Sequence, residues 1–377
     1  MTATEATGPD ASALSRRQVH AVAGCYFVAS FAALGLPPYL TEILPGLGDS
    51  TGQWAGLLYV VPTVFGGLGA PLWGRLADRY GRKRLLLRAQ LGLAVAFVCA
   101  GWADSLATFT AALILQGILG GTFAASNAYL GAALEGPALS RALTLMQGSA
   151  RAALVLAPIV VGALTPWISP HRQYALLAVL PLGAALMLAA LPEPATTPTP
   201  PKAEPAADDT GTSPATSPTT SLRARYALEF AFVFSTVISF PYLIPLVEEQ
   251  IPGTTPLLSG VLFALPHLCY LVSAFWVHSA FQSRPRLGLA LGFGCIALGL
   301  AAHGVADALP AFVGARLLLG AGLTLGLVCL SLLSAACAKG RAPGGMFGSL
   351  EFFSKAGAVA AGLAAAAGNS WFGPGAP

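Results

Sequence analysis

The sequence GRLADRYGRKR, residues 74–84, places five arginines and lysines between two long apolar stretches, 52–73 and 84–103. Each stretch has about 20 residues, the length that an α-helix needs to cross roughly 30 Å of hydrocarbon. Short loops on the cytoplasmic side of a membrane are enriched in lysine and arginine. The segment therefore predicts two membrane-spanning helices joined by a tight cytoplasmic turn.

The composition of the whole chain agrees with a membrane protein. Of its 377 residues, 55% are hydrophobic and 10% are charged, against roughly 25% charged residues in soluble domains. These values exclude a water-soluble fold and make the lipid bilayer an expected partner. The net charge of +4 is small and scattered, so we expect no nucleic-acid partner. The six cysteines lack paired spacing, which predicts buried side chains and neither disulfides nor a metal site.

Polar interruptions divide the apolar sequence into eleven stretches of spanning length. We predict an all-α membrane protein in which each stretch is one helix, the first being a retained span and not a signal peptide. The predicted spans are 18–40, 52–73, 84–103, 106–132, 142–165, 173–192, 224–247, 257–279, 286–305, 309–333 and 343–366.

A polar segment between the sixth and seventh spans divides the chain. Residues 194–221 are rich in proline, threonine and serine and show no apolar periodicity. We predict an N-terminal six-helix bundle (1–192), a disordered cytoplasmic linker (193–222) and a C-terminal bundle with five spans (223–377).

The two bundles repeat each other. Pro38-Tyr39-Leu40 recurs as Pro241-Tyr242-Leu243 at an offset of 203, and GLLYVVP (56–62) recurs as GVLFALP (260–266) at an offset of 204. We therefore predict two halves related by a pseudo-two-fold axis normal to the membrane. Six spans against five leave a twelfth helix missing, which indicates a truncated chain or, as the alternative, an authentic eleven-span protein.

The distribution of charge predicts the orientation. Gaps on the side of residues 74–84 carry most of the lysine and arginine, whereas the opposite gaps carry acidic residues such as Glu42, Asp49 and Glu248. The positive-inside rule then places the N-terminus and the linker in the cytoplasm. We expect a multi-pass protein of a bacterial-type inner membrane.

The loop 74–84 resembles the signature loop of the major facilitator superfamily. The resemblance implies two six-helix bundles and a gate latch, made by an acidic residue that pairs across the bundle interface in one conformation only. The alternative is a loop that only fixes topology. The latch residues implied by the resemblance are Gly74, Asp78, Arg79, Gly81 and Arg82.

Span five resembles the proton-antiporter motif of the same superfamily. Gly148, Pro158 and Gly162 occupy motif positions, while Ala157 and Val161 replace two of its glycines. The resemblance implies a drug/proton-antiporter-like branch and a hinge beside the cavity. Ordinary small-residue packing is the alternative.

A narrower resemblance rests on two runs, 58–79 and 115–130, which are similar to bacterial siderophore exporters of the alcaligin type. In span four, Leu113 stands where the exporter pattern expects an arginine, and the arginine occurs in the repeat as Arg316.

Polar residues deep in apolar spans are expected to meet a partner or a wet cavity, because an unpaired charge there is costly. We assign them to the substrate or proton pathway. They are Asn127, Arg151, His267, Arg316, Glu351 and Lys355.

Glu351 is the only carboxylate deep within a predicted span, so it is the best candidate for a proton site. Arg151 is its equivalent in the repeat, and the two could pair across the cavity. Equally, Glu351 could pair with Lys355 one turn further along its own helix.

Other assignments also have alternatives. His267 is either a packing residue or a proton carrier, and Asn127 either binds substrate or joins helices. Tyr39 and Tyr242 either close an extracellular gate or anchor the chain at the interface. Arg316 either faces the cavity or extends towards the extracellular interface.

These observations predict proton-coupled export, by alternating access, of a small anionic or zwitterionic molecule, with a siderophore as the narrower expectation. An importer with the same fold is the alternative. A transport ATPase is excluded because no Gly-x-x-x-x-Gly-Lys-Ser/Thr loop occurs, and we predict no enzyme because no catalytic constellation can be assembled. We expect no cofactor beyond the proton gradient, a small-molecule partner and a monomer.

Overall fold

The computed structural model describes residues 15–122, 125–126, 129–130, 134, 136–190, 222–338 and 343–375. Within these ranges the chain is helical and contains no strand. The long helices are α1 (Arg16–Gly35), α2 (Ala55–Tyr80), α3 (Arg82–Gly101), α4 (Leu106–Leu119), α5 (Gly136–Leu164), α6 (Pro170–Leu177, continued as Val179–Ala190), α7 (Leu222–Val237), α8 (Pro256–Phe281), α9 (Pro285–His303), α10 (Leu309–Ala338) and α11 (Pro343–Phe372). Short helices cover Pro37–Tyr39, Leu40–Ile43, Leu44–Leu47 and Leu243–Gln250.

The predicted all-α membrane class is confirmed. Among the described residues, seven segments are long and apolar enough to cross a membrane, and they overlap α1, α3, α5, α6, α8, α9 and α10. Helices are suited to this setting because hydrocarbon offers no partner for a backbone N–H or C=O, and a helix satisfies both internally. The count of eleven spans stays a prediction, and residues 193–221 of the predicted linker lie outside the described ranges.

The prediction of one continuous helix over 106–132 is wrong. α4 ends at Leu119, and Gly121 has φ +96°, a left-handed conformation that glycine adopts without strain. Arg88 binds this helix end, with Nη1 2.8 Å from the Leu119 carbonyl oxygen and Nη2 3.1 Å from that of Gly120. Hydropathy alone could not locate the break, because the residues on both sides of it are apolar.

The first helix of each half ends earlier than predicted, and at equivalent places. α1 ends at Gly35, before Pro37 and Pro38, and α7 ends at Val237, before Pro241. A proline lacks the N–H that continues a helix, so these residues favour a change of direction. Each break places a repeated tyrosine just beyond the helix.

The two halves meet along two seams. α5 packs on α8, and α2 packs on α11, so each seam joins one helix of the first half to one helix of the second. Within the halves, α1 packs on α5 and α6, while α10 packs on α8 and α9. Both seams contain buried apolar residues, among them Leu154 on α5 and Ala365 on α11.

Candidate functional site

Tyr39 lies in the α5–α8 seam. Its side chain is fully buried, and its hydroxyl oxygen lies 2.7 Å from the carbonyl oxygen of Pro158 and 3.1 Å from that of Pro256. Pro158 belongs to α5 of the same half, whereas Pro256 begins α8 of the other half. The single hydroxyl hydrogen is therefore shared between an acceptor in each half.

Tyr242 lies in the α2–α11 seam. Its hydroxyl donates to the carbonyl oxygen of Gln53 at 2.9 Å and accepts from the backbone N–H of Gly56 at 3.1 Å. Both partners belong to the first half, at the start of α2. The Gly56 N–H has no acceptor within its own helix, because the first four N–H groups of a helix lack one.

The two tyrosine contacts correspond in the repeat. Tyr39 and Tyr242 are 203 residues apart, and so are Gln53 and Pro256. The start of α2 aligns with the start of α8 at an offset of 204, so the bond from Tyr39 to Pro256 and the bond from Tyr242 to Gln53 are corresponding contacts that differ by one residue in register. We call the end of the bundle that contains them the tyrosine end.

Glycines allow the backbones to touch at the tyrosine end. A methyl group on Gly162 would collide with the Pro256 carbonyl, and one on Gly260 would collide with the Pro158 carbonyl. In the other seam, a methyl group on Gly56 would lie 2.6 Å from the Gly362 carbonyl oxygen. The neighbours are backbone atoms that cannot rotate away, so each contact depends on the absence of a side chain.

The described residues at the opposite end show no such crowding of glycines between the halves. A methyl group on Gly148, in the first half of α5, would meet no atom within 4 Å. Phe275 near the end of α8 is 79% exposed, and Phe352 near the start of α11 is 66% exposed. Among the described glycines, those whose added methyl group would strike the opposite half all lie at the tyrosine end.

The guanidinium group of Arg316 lies between the tyrosine end and the opposite end of the bundle. Arg316 on α10 is fully buried, with Nε 2.8 Å from the Leu262 carbonyl oxygen and Nη2 3.0 Å from that of Phe263. Its Nη1 has no hydrogen-bond partner among the described residues. Arg316 does not extend to the interface, because the carbonyls of α8 hold it inside the second half.

His267 on α8 is 1% exposed and lies beside the rings of Phe240 and Phe263, at centroid distances of 6.0 and 5.9 Å. Within the described part of the chain, neither ring nitrogen has a hydrogen-bond partner. Arg151 and Arg316 both lie within electrostatic range of the imidazole.

Arg151 is the residue of the first half that lies close to His267 and Arg316. Its guanidinium carbon lies 5.8 Å from the ring centroid of Tyr270 on α8. Its Nε has no hydrogen-bond partner among the residues that the structure describes. The cationic centre, formed by the guanidinium groups of Arg151 and Arg316 with the imidazole of His267 beside them, therefore spans the α5–α8 seam, and an anion is the ligand that two guanidinium groups favour.

The remaining predicted residues are placed only in part. Gly81 has φ +93° and separates α2 from α3, and Arg79 is exposed with its guanidinium 5.4 Å from the Tyr80 ring. Lys355 is half-buried on α11. The side chains of Asp78, Arg82 and Glu351, and the whole of Asn127, lie outside the described structure, and Gly74 is described only as part of α2.

Two features were not found from the sequence. The guanidinium of Arg88 lies 3.4 Å above the Trp73 ring, and the Trp73 indole N–H donates to the Ile118 carbonyl at 2.7 Å. A tryptophan and an arginine at the border of apolar stretches were the only signal. The second feature is Glu248 beside the tyrosine end, an exposed residue whose carboxyl pKa is raised above its usual value by partial desolvation.

A bundle of membrane-length helices, built from two repeated halves that meet through corresponding contacts at one end, is the architecture of many secondary transporters. Residues 22–362 match the model of the Major Facilitator Superfamily, and the chain belongs to that family. The predicted family resemblance is confirmed.

Curated relatives cover the chain in part. It is 35% identical over 145 residues to the multidrug resistance protein MdtG of Yersinia enterocolitica, an overlap of 37% of this chain and 35% of the relative. It is 31% identical over 169 residues to MdtG of Serratia proteamaculans, covering 44% of this chain and 39% of the relative. The chain thus spans well under half the length of these relatives.

Solved structures share the fold over nearly the whole chain. A bacterial homologue of the human lysosomal transporter Spinster, in an inward-facing and unoccupied conformation, gives a TM-score of 0.70 at 15% identity and covers 95% of this chain and 86% of that one. The human organic anion transporter MFSD10 (TETRAN) gives 0.68 at 20% identity, covering 96% and 95%. These likenesses show the fold alone.

Proposed function

We propose that this chain is a proton-coupled efflux transporter that exports a small organic anion or zwitterion across a bacterial inner membrane. It works by alternating access, with the tyrosine end facing outwards and the N-terminus in the cytoplasm. The relatives named multidrug resistance proteins support efflux. A siderophore is the narrower form of the proposal, and a monomer is the proposed state.

The observation that carries alternating access is the pair of equivalent closures at the tyrosine end. Tyr39 and Tyr242 each bind a backbone carbonyl of the opposite half. Contacts of this kind, made between two rigid bundles, can be broken together when one bundle rocks against the other. The described conformation is then the one closed to the outside.

The cationic centre supports an anionic substrate. Arg151 and Arg316 each carry a guanidinium nitrogen without a hydrogen bond among the described residues, and His267 lies beside them. A carboxylate or hydroxamate can accept from a guanidinium in a two-bond fork, whereas a lipophilic cation is repelled. Binding there also joins α5 of one half to α8 of the other.

We assign proton coupling to Glu351 on α11, because it is the only carboxylate deep within a predicted span. The importer is the second candidate function and differs from the exporter only in the direction of net flux.

Transport by inverted membrane vesicles tests this proposal. Uptake into the vesicles would be measured under a pH gradient of either sign. The compounds would be matched and would differ only in carrying a carboxylate, a hydroxamate or an amine. We expect proton-driven accumulation of the anions, reduced at least about tenfold by Arg151→Gln and unaffected by Arg284→Gln, an exposed arginine outside the seams. Selective transport of the amines would overturn the anionic substrate, and anion movement only in the reverse direction would establish the importer.

A further inference from the structure

We infer that Tyr39 and Tyr242 contribute unequally to closure of the tyrosine end. Tyr242 holds that end closed, and Tyr39 contributes less. The inference rests on the proposed alternating access and deepens it, because it names the residue that sets which conformation is preferred. It follows from which half supplies the partners of each hydroxyl.

Tyr39 keeps a partner when the halves separate. Its hydroxyl lies 2.7 Å from the Pro158 carbonyl oxygen of its own half and 3.1 Å from the Pro256 carbonyl oxygen of the other half. The shorter bond is the one that a rigid movement of the two halves leaves intact. Opening therefore removes only the longer component of a shared bond.

Tyr242 loses both partners at once. The Gln53 carbonyl that accepts from it and the Gly56 N–H that donates to it belong to the opposite half. No described bond joins this hydroxyl to its own half. Opening therefore breaks two full hydrogen bonds and also removes the acceptor of a helix-terminal N–H.

The unequal contributions of Tyr39 and Tyr242 do not arise from different positions in the repeat. Tyr39 and Tyr242 occupy the same register of their halves, and their acceptors Pro256 and Gln53 lie within one residue of equivalent positions at the starts of α8 and α2. The inequality arises because Tyr39 has the additional acceptor Pro158, while Tyr242 has the additional donor Gly56. The first lies in the same half as its tyrosine and the second lies across the seam.

The measurement is the rate at which an impermeant maleimide, added from outside, labels Ala365→Cys in a full-length variant whose native cysteines are replaced. Ala365 is fully buried in the α2–α11 seam, so labelling reports the open fraction even when that fraction is small. One hydrogen bond corresponds to about a fivefold change in an equilibrium. We expect Tyr242→Phe to raise the labelling rate about 25-fold and Tyr39→Phe at most about fivefold.

Controls separate gate opening from damage. Tyr174→Phe removes a hydroxyl from a buried tyrosine that packs on Phe97 and Phe109 within the first half, and its labelling rate is expected to match that of the parent. In a matched background that retains only Cys25, which is buried in the first half, every variant is expected to stay unlabelled. Labelling of Cys25 in Tyr242→Phe would assign the effect to unfolding and overturn the inference.

An equal or larger increase for Tyr39→Phe, or no increase for either variant, would also overturn it. The assay needs neither substrate nor a proton gradient. A failed export experiment would therefore refute the proposed function without affecting the inference about Tyr39 and Tyr242. Equal labelling rates for the two tyrosine variants would refute the inference without affecting the proposal of export.

Discussion

Gly260→Ala is expected to prevent closure of the tyrosine end. A methyl group at this position would strike the Pro158 carbonyl and would lie 2.6 Å from the Tyr39 hydroxyl oxygen. Both obstacles exist only while α5 and α8 are in contact, so the cost falls on the closed conformation. Overpacking of this kind costs about 1–3 kcal/mol, which corresponds to an increase of about 5- to 150-fold in the open-to-closed ratio.

The gain in helix propensity does not alter this result. Replacing a helical glycine with alanine stabilises a helix by about 1 kcal/mol, but α8 is helical at this position whether the seam is closed or open. The propensity term therefore raises overall stability and cancels from the gate equilibrium.

The assay is the labelling rate of Ala365→Cys, measured together with efflux. We expect faster labelling and slower efflux for Gly260→Ala, and no change in either for Gly294→Ala, a helical glycine on α9 whose added methyl group would meet no atom within 4 Å. Parental labelling by Gly260→Ala, or equal effects of the two variants, would refute the steric argument.

Three further predictions concern charge. Asp78→Asn is expected to reduce efflux at least about tenfold with normal membrane insertion. Efflux at the parental rate would show that the loop 74–84 only fixes topology. Glu351→Gln is expected to uncouple efflux from the pH gradient, so accumulation that still follows the gradient in vesicles would move the proton site elsewhere. Partial desolvation raises the pKa of Glu248 in the closed conformation, and we expect opening to relieve it, so closure favours the protonated form. Closure then weakens as pH rises above the usual carboxyl value, and labelling of Ala365→Cys accelerates. Glu248→Gln should flatten this pH dependence, and an unchanged profile would assign it to another group.

The sequence predicted the fold class because the length of its apolar stretches reflects the thickness of the bilayer, and its repeat reflects a fold built from two similar halves. It located Tyr39 and Tyr242 as a pair for the same reason, since equivalent positions in a repeat occupy equivalent places in a pseudo-symmetric fold. It could not show that both hydroxyls reach the opposite half. That depends on how closely the seams approach, and this closeness results from the distribution of glycines across two helices distant in sequence.

The errors have a common physical origin. The break after Leu119 depends on a left-handed glycine, and the early ends of α1 and α7 depend on prolines beyond the helix. These are backbone effects of single residues, whereas a hydropathy average is taken over about 20. Likewise, the burial of Arg316 depends on two carbonyls of α8 that no pattern in span ten reveals.

The antiporter-like motif of α5 can now be argued from its contacts. Pro158 supplies the carbonyl that binds Tyr39, and Gly162 permits the approach of the Pro256 backbone. A carbonyl has two lone pairs, so the Pro158 oxygen can accept from Tyr39 in addition to a bond within its helix. Gly148, the third motif position, lies outside this contact. Small residues near Pro158 therefore allow α5, α8 and Tyr39 to pack in close contact. A bend in α5 is not needed to explain the presence of these residues.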